Sequence, residues 1–114
     1  MMSQMLRAIY QALTAISGLT VYHYQAPSNQ SLPYCVWYED GESSSLESDN
    51  HKAEQAIGGY IDYFTKTEFD ANVDAIQNAL NGIENCSWTY ESVIFGDPSY
   101  QSTVIHHTWS WRLL

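Results

Sequence analysis

The side chains able to do chemistry are few and scattered. Carboxylates gather at Glu39, Asp40, Glu42, Glu47 and Asp49, histidines stand at His23, His51, His106 and His107, and the cysteines are Cys35 and Cys86. A calcium loop needs alternating oxygen ligands around a turn glycine, a register this acidic run lacks. A solvated acidic segment is the reading it supports. His106 and His107 are neighbours in a strand-like run, so their rings leave opposite faces and cannot ligate one ion together. Adding His23, His51, Cys35 or Cys86 to either gives no established zinc-ligand spacing. Nucleophilic cysteine chemistry needs a stabilised thiolate, often at a helix N-terminus, whereas both cysteines fall inside presumptive strands. The pair Gly58-Gly59 opens no helix and is followed by no lysine, so it is not a phosphate loop; a bulge or a close backbone approach is expected there. These residues predict no catalytic, cofactor or metal site, and no enzyme. The aromatic residues read as core and cross-strand pairs, because a nucleic-acid platform would interleave them with basic side chains that the strands almost entirely lack.

The elements that position these residues are organised around Gln55 to Gly82. There the run Ala56-Ile-Gly-Gly-Tyr-Ile-Asp-Tyr-Phe-Thr65 leads directly into Phe69, Val73, Ile76, Leu80 and Ile83, whose spacing places all five on one face of a helix. Thr67 suits the N-cap, with Asp70 three residues on, and Gly82 suits a left-handed stop. Upstream, Leu6, Ile9, Leu13 and Ile16 give a helix over Ser3 to Ser17 that ends at Gly18. Leu19 to Gln25 and Leu32 to Asp40 alternate as strands, the second with Tyr34, Val36 and Tyr38 on one face and Cys35 and Trp37 on the other. Gly41 to Lys52 holds one apolar residue in twelve and is expected to be a long polar loop. Asn85 to Phe95 and Thr103 to Leu113 form a closing hairpin, turned by Gly96, Asp97 and Pro98. The order α-β-β-β-α-β-β predicts an α+β domain, an antiparallel sheet of about five strands with both helices on one face.

One domain spanning residues 1–114 suits the length. Thirteen acidic residues against four basic ones give a formal charge of −9, which excludes affinity for nucleic acid built on phosphate neutralisation. No run reaches the roughly 20 apolar residues of a membrane helix. Neither a signal peptide nor a disulfide is expected, since the N-terminal pattern is amphipathic and two cysteines are too few for a framework.

Four segments carry a likeness to a known family. They are Met5-Leu-Arg-Ala-Ile-Tyr-Gln-Ala-Leu13, Leu32-Pro-Tyr-Cys-Val-Trp-Tyr-Glu39, Tyr60-Ile-Asp-Tyr-Phe-Thr-Lys-Thr-Glu-Phe69 and His107-Thr-Trp-Ser-Trp111. In order and spacing they resemble the small tail-terminator and tail-completion proteins, which join head to tail in long-tailed bacteriophages. Ser110 and Arg112 depart from the pattern by standing where relatives often carry acidic residues. The resemblance implies a non-enzymatic virion protein of the tail neck, made in the host cytoplasm. Its ring, expected to be a hexamer, would cap the tail tube and contact the tube protein and the head connector or closure protein. DNA would pass through it without specific binding, and Glu39, Asp40, Glu42, Glu47 and Asp49 would form the assembly and lumen loop. A head-closure ring of the same neck is the near alternative. A small acidic regulator that mimics DNA charge is the alternative from another class.

Overall fold

The computed structural model describes residues 2–48, 51–97 and 102–114. Those residues form α1 (Met2–Thr14), β1 (Val21–His23), β2 (Tyr34–Ser48), β3 (His51–Thr65), α2 (Ala71–Asn81), β4 (Cys86–Asp97) and β5 (Ser102–Leu113), the expected α+β order. The strands make a single sheet in the spatial order β1-β2-β3-β5-β4. Pairing is antiparallel except at the β1 edge, where Val21, Tyr22 and His23 run parallel to Cys35, Val36 and Trp37. The sheet is therefore mixed. Its parallel pair is joined by the irregular stretch from Tyr24 to Pro33, with Tyr24 at a positive φ of 78° where the chain turns back.

The alternation read from the sequence sorts the two faces. Cys35, Trp37, Ile57, Ile61, Tyr63, Trp109, Trp111 and Leu113 are buried in one cluster with Ile9 and Leu13 of α1 and Ile76 and Leu80 of α2. Both helices thus cover the same face. α1 ends at Thr14, whose hydroxyl donates to the Tyr10 carbonyl at 2.7 Å, and Gly18 at φ +79° reverses the chain towards β1.

Three local expectations are corrected. The N-cap of α2 is Asp70, not Thr67: the Asp70 carboxylate accepts from the Asn72 N–H at 2.9 Å, while the Thr67 N–H is satisfied by Thr65 Oγ1. Phe69 consequently precedes the helix and, at φ +54°, is fully exposed instead of joining the apolar face. Gly82 closes α2 in the right-handed region (φ −82°, ψ −7°), and the left-handed step falls on Asn85 at φ +59°.

The largest correction concerns residues 41–48 and 51–52, which are strand and not loop; Asp49 and Asn50 lie outside the described residues. β2 continues to Ser48 and β3 begins at His51, so the segment forms a two-stranded ribbon closed by the pairs Glu47↔Lys52 and Ser48↔His51. β5 pairs with β3 only from Ile57 to Thr65, so the ribbon runs beyond the sheet. Eight residues from Gly41 to Ser48 reach about 25 Å at the rise of a strand, which is why the molecule measures 57 × 25 × 23 Å. The root of the ribbon is pinned. Asp40 is the extra residue of a bulge between Glu39↔Gly59 and Gly41↔Gly58. At Gly59 a Cβ would lie 2.2 Å from the Tyr38 carbonyl oxygen and 2.4 Å from the Trp111 ring. The expected bulge and the close approach therefore coincide. Of the turn residues expected between the last two strands, Gly96 and Asp97 belong to β4, and Pro98 lies outside the described residues.

Candidate functional site

Three side-chain clusters sit on the framework of the sheet. The first occupies the ribbon root on the helix-covered side. The His23 ring stacks on Trp37 at 3.8 Å and on Tyr24 at 3.7 Å. His23 Nε2 lies 2.8 Å from Glu39 Oε1, and the Tyr24 hydroxyl donates to Glu39 Oε2 at 2.5 Å. Partial burial pushes the Glu39 carboxyl up, but the hydrogen bonds from Tyr24 and His23 outweigh it and hold the group below its ordinary range. Its chemistry is that of a brace, since both carboxylate oxygens are occupied.

The second cluster joins α2 to the covered face. Asp70 Oδ2 accepts from the Tyr63 and Thr65 hydroxyls, each at 2.7 Å, and the Asn72 side chain donates to Tyr63 Oη at 2.9 Å. Burial, with the Asp70 carboxylate as a further cause, pushes the Tyr63 phenol up to about 12. Burial also pushes Asp70 up, yet the hydrogen bonds from Tyr63, Asn72 and Thr65, with His107 nearby, carry it below its usual value. His107 is held low by burial against the pull of Asp70, and its Nδ1 lies 2.6 Å from the Tyr90 hydroxyl.

The third cluster lies on the open face. Tyr34, Phe64 and His106 stack in a row across β2, β3 and β5, at 5.0 and 4.3 Å between ring centroids. His106 Nε2 stands 2.9 Å from Asp62 Oδ1 and 3.0 Å from Thr108 Oγ1, and Thr108 donates to the same Asp62 oxygen at 2.9 Å. The residue types suggest a Thr-His-Asp relay, but such a relay needs the carboxylate on one imidazole nitrogen and the hydroxyl on the other. Here both meet Nε2, so the trio ties β3 to β5 and does not activate Thr108.

The five acidic residues singled out from sequence are not brought together. Glu39 turns inward to His23 and Tyr24, Asp40 is exposed on the bulge, and Glu42 and Glu47 are spread along the ribbon opposite Ile57 and Lys52. Asp49 lies outside the described residues. His106 and His107 leave opposite faces as expected, one towards Asp62 and the other towards Tyr90. Both cysteines are free thiols, and burial pushes Cys35 up to about 12. Among the described residues no group of three or more His, Cys, Asp or Glu could hold a metal ion, and no helix is long and apolar enough to cross a membrane. The clefts are open ones, one of them of about 490 Å³ between Lys66, Glu68, Ile94, Thr103 and Ile105.

Sequence reasoning missed the His23–Tyr24–Glu39 brace and the Asp62–His106–Thr108 trio. The alternation of strand faces could have put Asp62 and His106 on one face; the strand order needed to make them neighbours is not written locally. No family model and no curated protein matches the chain.

Proposed function

We propose that this chain is the structural subunit of a tail-terminator ring in a long-tailed bacteriophage. It caps the tube and joins it to the head, with no reaction of its own. The observation that carries the reading is the ribbon: a polar, acidic arm of about 25 Å mounted on a sheet stiffened by two helices. An arm that leaves its own core gains its contacts from a neighbour, as expected of a subunit in an assembly. The titratable clusters support the same reading, because their members are hydrogen-bonded to one another. A formal charge of −9 per subunit, repeated around a ring, gives a lumen that repels phosphate and lets DNA slide.

The test is deletion of residues 42–50 with strands β2 and β3 rejoined by Asn-Gly, scored by electron microscopy of tails and by head–tail joining. The reading expects a folded subunit that no longer supports joining. Unchanged ring formation and joining would overturn it. In the same images, caps on purified tails support the terminator position, and caps on filled heads place the chain at head closure instead.

A further inference from the structure

The strand rows run without a break from one edge of the sheet to the other. Val21 lies beside Cys35, then Tyr63, His107 and Ser92; Tyr22 beside Val36, Asp62, Thr108 and Glu91; His23 beside Trp37, Ile61, Trp109 and Tyr90. The two outermost strands, β1 and β4, are therefore level with each other. Their directions are opposed, because β1 follows β2 and three antiparallel steps separate β2 from β4. Each has one hydrogen-bonded neighbour among the described residues.

From this register we infer that β4 of one copy pairs antiparallel with β1 of the next, an inference that rests on the ring reading above and gives the ring its joint. Rotating a copy about an axis along the strands keeps strand directions, so β4 meets the neighbouring β1 in the antiparallel sense and at the same height. A heterologous contact of that kind closes into a ring without a step along the axis. The rows continue across the joint on matching faces: Tyr90 opposite the next copy's His23, Glu91 opposite Tyr22 and Ser92 opposite Val21. Thr20 and Tyr24 extend the β1 edge, since the Cys35 N–H donates to the Thr20 carbonyl at 2.8 Å and the Tyr24 N–H to the Trp37 carbonyl at 2.9 Å. That extension sets Val93 opposite Thr20, with Ile94 next along β4.

The side chains of β4 fit this use. Val93 and Ile94 are 53 % and 68 % exposed, on opposite faces of one edge strand, and Tyr90 is 40 % exposed. A strand laid alongside would cover all three. Edge strands that stay solitary are commonly blunted by Lys, Pro or a bulge. β4 carries neither residue, and its twelve-residue register with β5 has no shift. Its one charge before Asp97 is Glu91, which the proposed register sets against Tyr22 and not against another carboxylate.

Cysteine pairs test the joint in the full chain, with Cys86→Ser and Cys35→Ala so that no native thiol competes, Cys35 lying directly beside Val21. Paired residues bring Cβ atoms to about 4.5–5.5 Å, near enough for a disulfide. Val21→Cys/Ser92→Cys, mildly oxidised at high concentration, is expected to give a ladder of covalent oligomers on a non-reducing gel. Each single variant is expected to give none. Thr20→Cys/Val93→Cys, an exposed pair on the next row, repeats the test should the first pair disturb folding. Light scattering that reports a ring while neither pair cross-links overturns the joint and leaves the ring reading standing. A covalent dimer from Ser92→Cys alone also overturns the joint, since it means β4 pairs with a second β4 about a two-fold axis. A chain that stays monomeric at every concentration overturns the ring reading and the joint with it.

Discussion

The β2–β3 hairpin holds two different structures in one pair of strands. From Tyr34 to Glu39 it is flanked by β1 and β5 and covered by helices, with Cys35, Trp37, Ile61 and Tyr63 buried. Beyond the Glu42↔Ile57 pair the same two strands run on with each other as their only hydrogen-bonded neighbours among the described residues, and with mainly Ser and Glu along β2. Strand conformation here has two sources. The inner half is extended because its alternate side chains fill a core; the outer half is extended because each strand pairs with the other, through further register shifts at Glu42/Ser44 and Leu46/Glu47.

Substitutions separate the two halves, and the largest effect belongs to the core. Trp109→Ala removes a fully buried indole that also donates to Gln77 Oε1 at 3.3 Å, and a loss of about 3–5 kcal/mol is expected in urea unfolding. A loss below about 1 kcal/mol would show that the sheet does not depend on this face. Gly59→Ala comes next, because its methyl meets the Tyr38 carbonyl and the Trp111 ring. About 3 kcal/mol is expected, by the same measurement, for overpacking against a backbone atom that cannot swing aside.

Asp70→Ala removes the α2 cap and should cost about 1–2 kcal/mol, read from the thermal midpoint at neutral pH. Asp70 and His107 also set an acid limit for the inner half. Both have folded pKa values below their ordinary ones, so the stability each contributes is present above its unfolded pKa and lost as pH falls through the folded one. The thermal midpoint is expected to hold steady from about pH 6.5 to about pH 8, then, as pH is lowered, to fall as His107 is protonated and again as Asp70 and Glu39 are. His107→Phe should abolish the first fall and leave the second. Smallest of all, Glu42→Gln with Glu47→Gln should change stability by less than about 0.5 kcal/mol. A larger loss would mean that the ribbon contributes to the fold it leaves.

The split also explains what could be read from the amino-acid order. Faces that fill a core announce themselves by period, so Tyr34, Val36 and Tyr38 were separable from Cys35 and Trp37, and Ile76 and Leu80 could be assigned to the buried side of α2. Phe69 keeps the helical spacing although it stands one residue before the true cap, and only the hydrogen bond from Asn72 to Asp70 marks where the helix starts. The ribbon was invisible for the opposite reason: Ser43-Ser-Ser45 has no alternation to detect, and its strand state depends on a partner strand. Of the candidate site, Glu39 was named from the sequence but its role was not. Its partners His23 and Tyr24 reach it through a parallel pairing and a turn at Tyr24, both non-local features.

The fixed root at Gly59 makes the ribbon a lever. With an arm of about 25 Å at the rise of a strand, a tilt of about 10° between β2 and β5 would carry the tip roughly 4 Å, more than the length of a hydrogen bond. By denying Gly59 a side chain, the chain brings the Tyr38 backbone and the Trp111 ring into direct contact with the pivot, and so sets the aim of the arm's far end through a few atoms near its base.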